Sequence, residues 1–363
     1  MKHSMFMMPL HPPGRSVTET LQEDREAIIL ADRHGFSEAY VGEHATDAAE
    51  TVTSSLVFLA TLASETSRIR LGTGTLNLPN SHPVTVASQA AMLDHLLKGR
   101  FILGISPGGL MSDAEVYGNF GKDRNAMFVE CIDAVLALWS SDPPYDIDGE
   151  YWKISVGKTM IPEIGQGFVM KPYQRPHPPI VGTAVAPHSR GVTEMAKRGW
   201  SPISANFLMP EWVKSHWPRY VEGREAVGAV ASAADWRVAK SIFVADDDAT
   251  ARRYALEAGG PYHFYFSQLT RKLLNGGRGN LFKTDPSMPD SAVTPEYVTR
   301  RLVIAGTVDS VVDQILAFRE QVGDFGNLVY ACHDWQDPAL GRRSMALFAD
   351  EVMPRVNAAI GAT

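Results

Sequence analysis

Short apolar runs of strand periodicity alternate with longer amphipathic runs from one end of this sequence to the other. That pattern requires successive βα units and a parallel sheet. Strands are predicted over residues 4–8, 38–41, 69–75, 100–105, 179–182, 201–205, 237–245 and 327–331. Helices are predicted over 53–66, 84–97, 124–139, 188–198, 211–224, 246–258 and 307–321, with a closing segment at 341–356. An earlier helix, ending near Gly35, is announced by Ser16-Val17-Thr18-Glu19. In this capping box the Ser16 hydroxyl and Glu19 carboxylate satisfy two amides that a helix start leaves open.

Eight strands, each close to a helix and with no Gly/Ser linker, predict an α/β fold, a (β/α)8 TIM barrel. A doubly wound open sheet would need fewer strands and a glycine fingerprint after the first, which is missing. The 363 residues exceed the roughly 250 of a plain barrel, so the surplus is placed in two insertions within one domain spanning 1–363. Residues 140–179 break the pattern with Pro143-Pro144, Asp148-Gly149 and Tyr151-Trp152, and read as an excursion containing a hairpin. Residues 259–291 read as irregular, a second insertion or a mobile lid.

Composition narrows the class of partner. A net charge of −7 without any Lys/Arg block argues against a nucleic-acid or anionic-membrane surface. No apolar run approaches the roughly 18 residues of a membrane span, and the N-terminal patch is short and interrupted by Pro9, Pro12 and Pro13. Two isolated cysteines, Cys131 and Cys332, indicate neither a disulfide framework nor a zinc knuckle and fit a reducing, cytoplasmic compartment. The expected partner is therefore a small molecule.

Local motifs for other chemistries fail on inspection. Gly72-Thr73-Gly74-Thr75 lies on a strand and lacks the third glycine of a dinucleotide loop, and Gly157-Lys158-Thr159 has Trp152 where a phosphate loop needs glycine. Neither H-E-x-x-H nor G-x-S-x-G occurs, and the histidines have no metal spacing, so no metal site is expected.

In a barrel, the chemistry sits at the C-terminal ends of the strands. Three such ends stand out: Gly42-Glu43-His44 after the second strand, Ser106-Pro107-Gly108-Gly109 after the fourth, and Pro187-His188-Ser189-Arg190 after the fifth. They offer a titratable imidazole, a nearly side-chain-free loop for a flat ligand, and a helix start suited to an anion. Taken singly each has a plainer reading: a buried structural histidine, an ordinary turn, and a helix cap. Their placement at neighbouring strand ends favours the functional one.

These residues, in their order, resemble the bacterial luciferase-like flavin monooxygenase family. The resemblance is carried by Gly42-Glu43-His44, by Gly72-Thr73-Gly74-Thr75-Leu76 with Leu78-Pro79 and His82-Pro83, and by Leu93-Asp94, Gly99-Arg100-Phe101 and Leu103-Gly104-Ile105. It continues through Arg124, Trp139, Pro176-His177-Pro178-Pro179-Ile180, Gly306-Thr307 and Glu351-Val352-Met353-Pro354, and so covers essentially the whole chain. Two further segments, His11-Pro12-Pro13-Gly14-Arg15 and His333-Asp334-Trp335-Gln336-Asp337-Pro338, resemble the branch of the limonene and diketocamphane monooxygenases.

The resemblance implies a luciferase-like barrel, commonly a homodimer, acting as an oxidoreductase. Such a flavoprotein uses reduced FMN from a separate NAD(P)H-dependent flavin reductase, with O2 as co-substrate, to oxygenate a terpenoid or cyclic ketone through a peroxide on the flavin ring. By the same resemblance His44 handles protons, Gly74, Thr75 and Ser106 lie at the flavin ring, and Arg124, His188 and Ser189 lie at its phosphate. Ser106 stands where luciferase has a cysteine, and His188 replaces an acidic residue. Gly74-Thr75 falls where members often carry a non-proline cis peptide. Phe6, Met8, Trp152, Phe207 and Trp335 are expected as apolar walls for the substrate. A deazaflavin-dependent dehydrogenase on the same barrel, or a flavin-binding protein without turnover, are the alternatives.

Overall fold

The computed structural model describes residues 1–283, 285 and 287–361. Thr284 and Pro286, within the second expected insertion, and Ala362 and Thr363, at the end of the expected domain, lie outside the described residues. The barrel strands are β1 (Lys2–Met7), β2 (Glu38–Val41), β3 (Arg70–Thr73), β4 (Phe101–Ser106), β5 (Ile180–Ala184), β6 (Ser201–Ser204), β7 (Arg237–Val244) and β8 (Asn327–Cys332). They hydrogen-bond in sequence order and β8 returns to β1, so the sheet closes into an eight-stranded parallel barrel. All eight expected strands are there. Every residue of β2 and of β8 is buried, as parallel strands covered by helices must be.

Helices that bear on function are α1 (Val17–Arg33), α2 (Ser55–Ala60), α3 (Pro83–Leu96), α4 (Met111–Val116), α5 (Arg124–Ser140) and α6 (Arg190–Lys197). Ser16 caps α1 as its sequence predicts, its hydroxyl accepting from the Glu19 amide. α2 is six residues long, shorter than the expected 53–66, and α4 was not expected at all. No helix of the described residues is long and apolar enough to cross a membrane.

The chain packs as two compact units. One comprises Tyr40–Asp47 and Val52–Val181. Here β3 and β4 approach so closely that a Cβ on Gly104 would lie 1.8 Å from the Thr73 carbonyl oxygen. The Thr73 hydroxyl uses that proximity, donating to the Gly104 carbonyl at 2.6 Å and accepting from its amide at 2.8 Å. The expected excursion contains the expected hairpin, Asp146–Asp148 against Lys153–Ser155. Its tip is clipped to α5 by the Glu130 carboxylate, which accepts from the amides of Glu150, Tyr151 and Trp152.

The other unit comprises Met1–Ala39, Ala48–Thr51 and Gly182–Thr363. It corrects the reading of 259–291 as irregular, because Pro261–Asn275 is a fifteen-residue helix. Pro261 occupies the first helical turn, where a proline starts a helix rather than breaking it. Tyr262, Tyr265, Phe266, Thr270 and Leu273 then follow at helical spacing on its buried side. A short strand, Val303–Gly306, preceded by the helix Pro295–Leu302, was likewise not expected; it pairs with the second half of β7.

Two segments that carried the narrower resemblance meet in this unit. The His11 ring nitrogens lie 2.6 Å from Asp334 Oδ1 and 3.3 Å from Asp24 Oδ2, all three side chains being buried. Arg15 pairs with Glu23 at 2.8 Å and also with Asp334, and Glu23 accepts from the Trp335 amide at 2.9 Å. Among the described residues His11, Glu23 and Asp334 form the one group spaced as metal ligands are, and Arg15 already supplies positive charge to both carboxylates.

Lys240, on β7, is buried at 2% exposure with no carboxylate partner among the described residues; its ammonium lies 4.9 Å from the Phe318 ring centroid. Burial pulls its pKa down from 10.5 to about 8. The unfolded chain therefore holds this proton more tightly between pH 8 and 10.5, and the Lys240 contribution to stability rises with pH through that window. Lys240→Met is expected to be more stable at pH 7 by about 2–3 kcal/mol, and to lose the alkaline rise. Urea midpoints across pH check this; a weaker variant with an unchanged slope contradicts it.

Candidate active site

The site is built from the ends of β2, β3 and β4 in the first unit. Beyond β2 the His44 amide donates to the Val52 carbonyl at 3.1 Å, fixing the backbone that presents the imidazole. His44 Nδ1 is 2.7 Å from Asp113 Oδ2, and Asp113 Oδ1 accepts from the amides of Ala45 and Thr46 and from the Thr46 hydroxyl. Burial pushes the Asp113 carboxyl up, but the bonds from His44 and Thr46 outweigh it and hold the group below its ordinary range. An ionised Asp113 makes Nδ1 the donor, so in neutral His44 the basic nitrogen is Nε2.

A second network runs beside it. The Gly74–Thr75 bond is cis, and the two-residue strand Leu76–Asn77 that follows pairs with the end of β4, setting Asn77 opposite Ser106. The Ser106 hydroxyl accepts from the Thr75 hydroxyl at 2.7 Å and from the Gly108 amide at 3.1 Å, and donates to Asn77 Oδ1 at 2.8 Å. Asn77 in turn reaches Glu43 through its amide, while Glu43 Oε2 accepts from the amide and hydroxyl of Ser55 at the start of α2. Loss of water around Glu43 raises its pKa, against the opposing bonds from Ser55 and Asn77.

Arg124 is the first residue of α5, whose N-terminus is capped by Asp123. Its guanidinium donates to the Gly108 carbonyl at 3.1 Å and lies 3.4 Å from Met111 Sδ, with no carboxylate partner among the described residues. Next to it a Cβ on Gly109 would meet nothing within 4 Å. A guanidinium without an acid, beside a bare backbone loop, is a donor set that fits a phosphate-bearing flat cofactor such as FMN.

His44, Gly74, Thr75, Ser106 and Arg124 thus belong to one unit, with Thr75 and Ser106 in direct contact. Trp152 is in the same unit, half-buried beside the hairpin tip. Phe6, Met8, His188, Ser189, Phe207 and Trp335 belong to the other. There His188 has a left-handed backbone and donates its amide to the Ser215 hydroxyl at 2.9 Å. Ser189 stands at the N-cap of α6, yet its hydroxyl makes no capping bond, so the plain capping reading does not describe it. Trp335 is buried against Gly341 and the Arg342 guanidinium.

Sequence reasoning missed Asp113 and Asn77. Asp113 sits on α4, a helix too short to register as a period, and its sole local signal is an acidic side chain soon after the glycine loop. Glu43, His44, Asn77 and Asp113 also line an open cleft.

Residues 1–324 match the family model for luciferase-like monooxygenases. The chain is 31% identical to 4-hydroxyprotoasukamycin monooxygenase of Streptomyces nodosus subsp. asukaensis, covering 98% of this chain and 92% of that protein. It is 26% identical to limonene 1,2-monooxygenase of Rhodococcus erythropolis, covering 98% and 87%. The solved structure of the oxygenating constituent of 3,6-diketocamphane monooxygenase from Pseudomonas putida, in complex with FMN, superposes with a TM-score of 0.88 at 25% identity, over 98% of each chain. The chain belongs to the luciferase-like family of flavin-dependent monooxygenases and is an oxidoreductase.

Proposed function

We propose that this protein is the oxygenase component of a two-component system that uses reduced FMN and O2 to oxygenate a small organic molecule, a terpenoid or cyclic ketone. The observation that carries the reading is the His44–Asp113 pair, set on the strand end next to the Thr75–Ser106–Asn77 network and to an acid-free Arg124. The names of two relatives support a reductase partner: the diketocamphane protein is an oxygenating constituent, and the trigonelline monooxygenase of Acinetobacter baylyi is an oxygenase component. By the same reading the protein works in the cytoplasm as a homodimer, each chain one barrel domain, and is partnered by an NAD(P)H-dependent flavin reductase.

Reduced FMN, when bound, supplies the electrons that activate O2. Arg124 binds its phosphate through guanidinium donors that no carboxylate of the described residues occupies. Thr75, Ser106 and the bare Gly108-Gly109 backbone receive the flat ring, with the Ser106 hydroxyl held in place by Thr75, Asn77 and Gly108. His44, oriented by Asp113, holds or moves a proton at Nε2.

Mixing protein and anaerobically reduced FMN with O2 tests the reading. Oxidised-flavin absorbance should return more slowly than with free FMN, with less hydrogen peroxide released. Unchanged reoxidation with tight FMN binding means a flavin binder without turnover; unchanged reoxidation with tight deazaflavin binding means the dehydrogenase. The phosphate assignment has its own check. Arg124→Ala should weaken FMN binding by roughly tenfold or more, one charge-assisted contact, and leave riboflavin unaffected; equal loss for both refutes it. The phosphate role of His188 and Ser189 rests on the resemblance, and Ser189→Ala in the same titration tests it separately.

A further inference from the structure

Met92, Met111 and Met170 are 51%, 47% and 49% exposed. Of these three, Met111 is the one whose sulfur meets a guanidinium among the described residues, 3.4 Å from a terminal nitrogen of Arg124. Arg124 gives its other terminal nitrogen to the Gly108 carbonyl at 3.1 Å, so thioether, guanidinium and glycine loop form one chain of contacts. The helix that carries Met111 is held in place. Two residues further along α4, Asp113 pairs with His44 and accepts from the amides of Ala45 and Thr46.

A thioether is a weak acceptor, so Arg124 contacts this sulfur and keeps its donors available to a stronger partner. A sulfoxide oxygen is such a partner. On Met111 it would stand beside the very nitrogen that the sulfur touches, and would compete there with any anion. The oxidant arises nearby. Hydrogen peroxide forms whenever reduced FMN passes its electrons to O2 without an organic acceptor, and the loop expected at the flavin ring is one guanidinium away from the sulfur. In the step, the sulfur lone pair takes one peroxide oxygen and the O–O bond breaks. Sulfur loses two electrons, and the second oxygen leaves with both protons as water.

Building on the phosphate role proposed for Arg124, we infer that Met111 is a site of oxidation by hydrogen peroxide, and that its sulfoxide engages the Arg124 guanidinium and weakens the hold on the flavin phosphate. Turnover without organic substrate then lowers flavin binding at the site that released the peroxide.

Hydrogen peroxide treatment of the flavin-free full chain, followed by peptide mass spectrometry and by titration with FMN and with riboflavin, tests this. Met111 should gain one oxygen, with FMN affinity falling about fivefold and riboflavin affinity holding. Methionine sulfoxide reductases for both epimers should restore FMN binding. Met111→Leu should show no such fall on treatment. Met111→Gln, whose amide oxygen stands in for the sulfoxide, should bind FMN about fivefold more weakly than Met111→Leu without any oxidant. An unoxidised Met111, an FMN affinity unmoved by its oxidation, a fall shared by riboflavin, the same fall in Met111→Leu, or equal FMN affinity of the two variants overturns the inference. The phosphate role itself is judged by Arg124→Ala. If that variant loses FMN alone while oxidation of Met111 changes nothing, this inference fails and the phosphate reading survives.

Discussion

His11→Ala is expected to lose about 3–5 kcal/mol of folding stability, since it leaves Asp24 buried without a cationic partner, while Asp334 keeps Arg15. Burial alone would lower the His11 pKa, but the bonds to Asp24 and Asp334 reverse that and raise it from 6.5 to about 9. A group whose folded pKa lies above its unfolded one stabilises fully below the unfolded value, and loses that contribution as pH rises through the folded one. The His11 contribution to parent stability should accordingly fall between pH 6.5 and 9, by roughly 3 kcal/mol, opposed above pH 8 by the Lys240 rise. Asp24, raised by burial from 3.8 to about 6, adds a decline of the same sign at lower pH. Urea unfolding from pH 4 to 9.5 should show both declines in the parent and none between 6.5 and 9 in His11→Ala. A variant within 1 kcal/mol of the parent, or one that keeps the alkaline decline, rules the assignment out.

His44→Ala is expected to lower oxygenation by about 10² to 10⁴, the usual worth of a positioned acid–base group, with FMN affinity unchanged. Asp113→Asn separates orientation from proton transfer. The amide keeps the shape but not the charge that makes Nδ1 the donor, so it should reduce turnover and move the pH profile while flavin still binds. Oxygenated product per FMN oxidised, followed across pH with hydrogen peroxide counted in parallel, is the measurement. Parent-rate product formation by His44→Ala sinks the assignment. A parent pH profile in Asp113→Asn removes Asp113 from it.

The eight barrel strands were legible because a buried parallel strand is a short apolar run, recognisable without knowing its partners. Local chemistry could also mislead. Residues 259–291, rich in Gly, Pro and aromatics, read as irregular, although the aromatic residues after Pro261 were already at helical spacing. α4 escaped because six residues are too few to establish a period.

The site divides along the same line. Its strand-end residues His44 and Ser106 were singled out because barrel topology dictates where to look, and Arg124, at the start of α5, through the family resemblance. Their partners were not: Asp113 lies 69 positions from His44, and Asn77 meets Ser106 only through the register of a two-residue strand. The terminal segments at His11 and His333 could be recognised as a pair by resemblance. That they share one buried charge cluster, across 323 positions, was decided by closure of the sheet, which sets β1 beside β8.

By itself, then, the sequence determined the order of elements, the closed class of fold and the strand ends at which to look for a site, because periodicity and capping are properties of neighbouring residues. Only the tertiary structure decided which carboxylate orients His44 and which charges neutralise one another in the interior. Those are pairings between distant residues, set by register and packing, and no local pattern encodes them.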